Sequence, residues 1–436
     1  MPTRRDVLNA LGLPLAASLT SACFSGPARR ALEPFTDGPE LTPEQVAADE
    51  ARWSGLQSAF TIDRGVVNLN NGGCCPSPWV VQDAHKRRLD FSNQLPTYNL
   101  WQVLEPQRET SRAGLARMFG CDAEEIALTR NASESLETCL LGLDLARGDE
   151  VVTSEQDYPR MLTALDQRAR REGIVVHKVA LPTPCEDEAE FVRRFEERLT
   201  PRTRLLLICH VINLTGQIVP VRAIVQMARR RGIPVVVDGA HGFAHLLDTR
   251  DELDVDYYGT SLHKWLLAPH GTGMLYVRKE KLGDLWPLMA APESMRDNVR
   301  KFEEIGTHPA AQLVSICEAL VFHHAIGSAN KLARLRYLRD AWARRLQAAS
   351  DRVVLNTSLS PRFGAGFANV RIEGVDTAGL QAHLWSKHRI LTTAILAPFP
   401  ASTHGLRVTP NVYTTLEELE RFGDVLEEVL AKGLPA

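Results

Sequence analysis

A chain of 436 residues is long enough for two domains sharing a sizeable core, and 50 Lys plus Arg against 53 Asp plus Glu leave no charge excess to attract a polyanion. Aromatic residues make up 6%, and no basic stretch is interleaved with them, which argues against a nucleic-acid partner. Eight cysteines occur without CxxC or Cys/His metal spacing, so neither a metal site nor an essential disulfide is expected.

In chain order, residues 1–23 pair a charged start with an apolar stretch of signal-peptide length. Thr3-Arg4-Arg5-Asp6-Val7-Leu8 is similar to a twin-arginine export signal, which a receptor reads and which does not anchor. The expectation is export to the periplasm or cell envelope, with cytoplasmic residence if the signal is not used and no transmembrane span. Leu19-Thr20-Ser21-Ala22-Cys23 is near a lipoprotein box but has Thr20 where Leu is usual, so lipidation of Cys23 stays open. Residues 24–44, rich in Pro, Gly and Ala, read as a linker, and residues 43–60 as a first helix. Residues 65–73 read as a short strand entering a glycine turn, and residues 100–119 as an amphipathic helix.

Residues 126–129 predict a strand, and Arg130-Asn131-Ala132-Ser133-Glu134-Ser135 opens a helix running to residue 145. A strand feeding a helix through small and hydroxylic residues makes an anion site, because backbone N–H groups and the positive dipole end face the ligand. Strands follow at 150–153 and 204–212, then a helix at 221–231. Val235, Val236 and Val237 form a β-branched run that ends in Asp238-Gly239-Ala240-His241. A second run, 256–261, leads to His263-Lys264, and a third spans 273–277. Beyond a Pro/Met-rich crossover, residues 311–349 read as a long helical tract. Strands near 366–372 and 405–409 and a helix from Leu416 complete the chain. Cys139, Cys209 and Cys317 lie in apolar runs and are expected to be buried small hydrophobes.

The chemistry concentrates at strand ends. In open α/β sheets ligands gather at the carboxyl ends of the strands, and there Asp238 and Lys264 are delivered to one rim. A lysine for a Schiff base and an acid that keeps a pyridine nitrogen protonated are what pyridoxal 5'-phosphate requires. With Asp238-Gly239-Ala240-His241 and Ser261-Leu262-His263-Lys264 in this order, the chain resembles the class V aminotransferase family of fold type I pyridoxal-phosphate enzymes. The resemblance runs from about residue 66 to the C-terminus. It implies an α/β fold, with a mainly parallel seven-stranded sheet covered by helices on both faces and a small α+β C-terminal domain. It also implies a cofactor domain over 45–310, whose N-terminal part packs on the small domain, and a linking helix plus small domain over 311–436.

The same resemblance assigns roles. Ala132 and Ser133 match the phosphate turn, Tyr158 the ring that stacks on the pyridine, and Asn213 the neighbour of the phenolic oxygen, with His210 on the same rim. His241, Ser261 and His263 join Asp238 and Lys264 around the cofactor. Asn70 borders the substrate pocket, and Arg407 in Leu406-Arg407-Val408-Thr409-Pro410 clamps a substrate carboxylate. Phe302-Glu303-Glu304-Ile305-Gly306-Thr307-His308 matches a segment whose Thr reaches the partner subunit's phosphate, so Thr307 implies a homodimer. The implied reaction breaks a bond at Cα of an amino acid, with Lys264 as acid/base. The isopenicillin N epimerase-like branch is the first expectation; an aminotransferase or C–S lyase is the alternative, and a cofactor-binding module without turnover is a third. Residues 388–404 carry no cysteine, which argues against a desulfurase working from that loop.

Overall fold

The computed structural model describes residues 27–38 and 40–435. The export signal and Cys23 lie outside the described residues. Within the expected linker, Pro27–Thr36 is a helix. Its Ala31, Leu32 and Phe35 are buried, and Phe35 meets the Trp53 ring edge-on at 4.8 Å between centroids. The linker reading is corrected there: the segment carries an apolar face with a partner to bury it against. The single helix expected next is two, Pro43–Ala48 and Glu50–Gln57, because Asp49 leaves helical geometry at φ −81°, ψ 83° and caps the second through its side chain.

The short strand β1 (Val67–Asn68) pairs with β11 (Ile390–Leu391), and Val67 and Leu69 lie in the core of the C-terminal region. The 100–119 segment starts with a π-helical turn, Asn99–Leu104, before the α-helix Glu105–Phe119. The large sheet contains β2 (Ile126–Thr129), β3 (Glu150–Ser154), β4 (Val175–Val179), β5 (Thr203–Cys209), β6 (Val235–Asp238), β7 (Tyr257–Ser261) and β8 (Gly273–Val277). The spatial order is β2-β8-β7-β6-β5-β3-β4. Every pairing among β3 to β7 is parallel, and β8 runs antiparallel to both of its neighbours. Both faces are covered, which is why β5 and β6 are apolar along nearly their whole length.

The helical tract is three helices, Ala310–Val314, Ile316–Ile326 and Ser328–Ala349. Gly327, at φ +88°, turns the last against the tract before it by 75°. Among the described residues no single helix is long and apolar enough to cross a membrane. A second sheet, ordered β12-β13-β10-β9, joins β12 (Thr393–Ile395), β13 (Gly405–Val408), β10 (Ala368–Ile372) and β9 (Val353–Leu355). The helix Leu416–Lys432 packs on it with a capping box at Thr415 and Glu418.

Candidate active site

The carboxyl ends of β5, β6 and β7 and the N-terminus of the Ala132–Gly142 helix enclose a cavity of about 170 Å³. Ala132, Ser133, Tyr158, Asn213, Asp238, His241, Ser261, His263 and Lys264 all line it. Asp238, 6% exposed, ends β6, and its carboxyl accepts the Ala240 N–H at 2.9 Å. Burial pushes its pKa up to about 6; the Ala240 N–H and the Lys264 charge pull the other way. Lys264, two residues past Leu262, reaches back over the sheet rim, and its Nζ lies 3.2 Å from His241 Nε2. Burial brings the Lys264 amine down to about 8, although Asp238 favours its charged form.

The helix N-terminus is built as the sequence requires. Asn131 caps it by accepting the Glu134 N–H at 2.9 Å, and Ser261 Oγ accepts the Ala132 N–H at 2.9 Å. That second bond ties the helix start to the end of β7, two strands from β2 in the sheet. Gly273 of β8, paired with Ser261 of β7, leaves room for the helix start, since a Cβ there would sit 2.6 Å from the Asn131 backbone. His263 is held through Nδ1, 3.2 Å from the Thr272 carbonyl, and burial lowers its pKa to about 4.

Arg407, on β13, adjoins the cavity through Asn213. Its Nη1 donates to the Asn213 carbonyl at 2.9 Å and its Nη2 to Asn70 Oδ1 at 3.1 Å. Asn70 is held in turn by Thr393, whose hydroxyl donates to Oδ1 at 2.6 Å. Arg407 Nε and Asn213 Oδ1 are both buried and without a hydrogen-bond partner among the described residues. Two opposite polar atoms left open beside a cavity are a place for a ligand.

Two placements differ from expectation, those of His210 and Cys317, and Cys209, buried as expected, also joins the cavity wall. His210 is turned behind the 238–241 turn, with Nδ1 3.1 Å from Tyr258 Oη and Nε2 3.5 Å from Asp248, and does not line the cavity. Cys209 does line it, because the parallel register sets it beside Asp238. Cys317 is half-buried rather than buried, 3.2 Å from Ser111 Oγ. Thr307 lies on an exposed turn after Gly306, away from the cavity of its own chain. The preceding Glu303 is structural: it accepts from Arg112 and from the Leu128 N–H of β2.

Sequence reasoning passed over Trp265 and Asp157. Trp265 sits beside Lys264 in the chain and donates its indole N–H to His241 Nδ1 at 3.2 Å. Asp157 is buried behind the cavity, its Oδ2 accepting from Thr153 and Ser154, and burial raises its pKa. Adjacency to Lys264 and to Tyr158 was the only signal either offered. The residues present fit pyridoxal 5'-phosphate: an amine, a buried acid and a helix N-terminus converge on one small cavity.

The model of the family described as aminotransferase class-V matches residues 69–422. The chain is 32% identical over 398 residues to an isopenicillin N epimerase of Streptomyces clavuligerus, covering 86% of this chain and 98% of that one. It is 22% identical to a hercynylcysteine sulfoxide lyase of Schizosaccharomyces pombe, over 76% of this chain and 87% of that one. Among solved structures, a cysteine desulfurase from Thermococcus onnurineus superposes with a TM-score of 0.75 at 22% identity, covering 90% of this chain and 99% of that one. A cystine C–S lyase superposes at 0.73 and 23% identity, over 84% and 98%.

Proposed function

Because the chain belongs to the class V aminotransferase family of pyridoxal-phosphate enzymes, we propose that it acts at Cα of an amino-acid substrate, as an isopenicillin N epimerase-like epimerase. Bound in the cavity, pyridoxal 5'-phosphate supplies an electron sink for the pair left at Cα. Lys264 holds the cofactor and then moves the Cα proton, which an amine with a pKa near 8 is suited to do. Asp238 is the anionic partner of the pyridine nitrogen, and Tyr158 the stacking ring. Asn213 serves the phenolic oxygen, while Ala132 and Ser133 at the helix N-terminus hold the phosphate. His241, Ser261 and His263 set the positions of these groups. Thr307 serves the site of a second copy, so the active form is a homodimer.

The observation that carries an amino-carboxylate substrate is Arg407. Its buried guanidinium bonds to Asn213 of the cavity lining and to Asn70, both neutral acceptors, and a substrate carboxylate supplies the missing charge. The epimerase reading is supported by 32% identity over nearly the full length of a relative, and by the lack of cysteine in 388–404. Incubation with L- and D-amino acids in deuterated water tests it. Exchange of the Cα proton without keto acid is the expected result; keto acid points to transamination or elimination, and no exchange to a binding module.

A second reading, a C–S lyase or sulfur-transferring enzyme, is favoured by Cys74. This exposed thiol follows Gly73 of the cavity lining, and a hydrogen bond from His270 brings its pKa down, with help from the Lys264 charge. Turnover of cysteine or cystine that is lost in Cys74→Ser would select this reading over epimerisation. We also assign residues 1–23 to twin-arginine export, which cell fractionation of a tagged chain with Arg4 and Arg5 replaced by Lys would test.

A further inference from the structure

His241 is engaged at both ring nitrogens. Its Nδ1 lies 3.2 Å from Trp265 Nε1, and an indole nitrogen can only donate. Nδ1 must therefore accept. That excludes the imidazolium and the Nδ1–H tautomer, and leaves the imidazole proton on Nε2. This same Nε2 lies 3.2 Å from Lys264 Nζ. A nitrogen that carries hydrogen in a neutral imidazole can only donate, and an ammonium has no lone pair to receive the bond.

We infer that Trp265 is a positioning residue which, by fixing the tautomer of His241, disfavours the ammonium form of Lys264 and so raises its share of neutral amine. The neutral amine is the form that attacks an aldehyde carbon. The indole itself is clamped. The His245 ring packs on it at 3.9 Å between centroids and 33°, and Phe367 stacks at 5.9 Å and 15°. His245 brings no charge of its own, since Nε2 accepts the Gly366 N–H at 2.8 Å and Nδ1 faces the His241 carbonyl at 3.0 Å. Of the other groups facing Lys264, Asp238 on β6, Cys209 on β5 and Cys75 favour its charged form, and Arg407 on β13 opposes it. The tautomer lock thus acts against the Asp238 carboxylate. Burial acts in the same direction as the lock, driving His241 well below the ordinary histidine value.

The inference rests on Lys264 being the cofactor lysine only for its consequence, so its test needs no cofactor. The full chain is stripped of cofactor, and the pH profile of Lys264 acylation is followed by mass spectrometry of its peptide. Two replacements of Trp265 are compared: Trp265→Phe, and a benzothiophene isostere that keeps both rings and exchanges only the N–H for sulfur. With the donor gone, His241 can accept from a Lys264 ammonium. The midpoint of acylation should then rise by about one pH unit in both, leaving Lys264 roughly tenfold less reactive at pH 7. Should Trp265→Phe fail to fold, the isostere decides alone, because it keeps both rings and changes the packing volume little. An unchanged midpoint in the folded isostere would overturn the inference. Borohydride fixation of the cofactor on another lysine would instead overturn the catalytic reading and leave the tautomer lock standing.

Discussion

At Arg407 a guanidinium sits 7% exposed beside the cavity, and burial brings its pKa down to about 10. It is held by two neutral acceptors that offer no countercharge. A charge-assisted pair with substrate is worth about 1.5–3 kcal/mol. Arg407→Lys should therefore raise KM for the amino acid roughly ten- to a hundredfold, while the visible spectrum of the bound cofactor stays unchanged. Steady-state kinetics with unchanged KM would remove Arg407 from the carboxylate site. Asp238→Asn should retain cofactor but lose about a hundredfold in kcat, the worth of roughly 3 kcal/mol from a charged partner. Near-parental turnover would show that the acid at the end of β6 is not the cofactor's partner. The titration of Lys264 has a consequence for stability with a definite sign. Its folded pKa of about 8 lies below the 10.5 of a free lysine. Between those values the unfolded chain binds more protons, so this group's contribution to stability rises with pH there, and its burial costs most below 8. Cofactor-free Lys264→Met should accordingly be more stable than the parent at pH 7, by up to about 3 kcal/mol. Urea melts at pH 7 and pH 10.5 should show that advantage shrinking; an advantage that grows with pH would contradict it.

Elements carry these side chains only because their turns are tight. In the 238–241 turn, a Cβ on Gly239 would fall 1.9 Å from the Tyr258 ring, and the Gly239 carbonyl accepts the Thr260 hydroxyl at 3.0 Å. Gly239→Ala must displace Tyr258 or the turn, at an overpacking cost of about 1–3 kcal/mol. The expected outcome is a protein that folds with a lowered Tm and binds the cofactor at least tenfold more weakly, since His241 and Asp238 move with the turn. Calorimetry with parental Tm and affinity would mean that the ring yields freely. The same scale explains which elements the chain made readable. Val235–Val237 and Leu205–Ile208 are β-branched or apolar throughout, and such runs fit a sheet buried on both faces whatever surrounds them. The helix at 27–36 was not readable, because its Pro, Arg and Ala content resembles a linker until Trp53 is present to receive Phe35. The break at Asp49 and the bend at Gly327 were likewise concealed, one aspartate and one glycine in otherwise helical stretches.

For the whole molecule, Glu303 pins the 302–308 segment to β2 and leaves Thr307 exposed beyond it. The proposed homodimer with shared sites would make use of that placement. Sedimentation equilibrium should give twice the chain mass, and Thr307→Ala should weaken cofactor retention several-fold without dissociating the dimer. A monomer that keeps the cofactor tightly would refute the arrangement. The sequence by itself determined the α/β class, the strand-end positions of Asp238 and Lys264, and the family to which those motifs belong. Each of these depends on local pattern: hydrophobic period, β-branched runs, and short motifs whose spacing the chain carries with it. Only the tertiary structure decided that Cys209 faces the cavity while His210 turns away, that Arg407 meets Asn70 and Asn213, and that Trp265 grips His241. Those outcomes depend on strand register and on side chains far apart in the chain, such as Arg407 and Asn70, which are 337 positions apart. Parallel register is set by packing on both faces of a sheet, and a one-residue slip would have turned Cys209 out of the cavity and His210 into it.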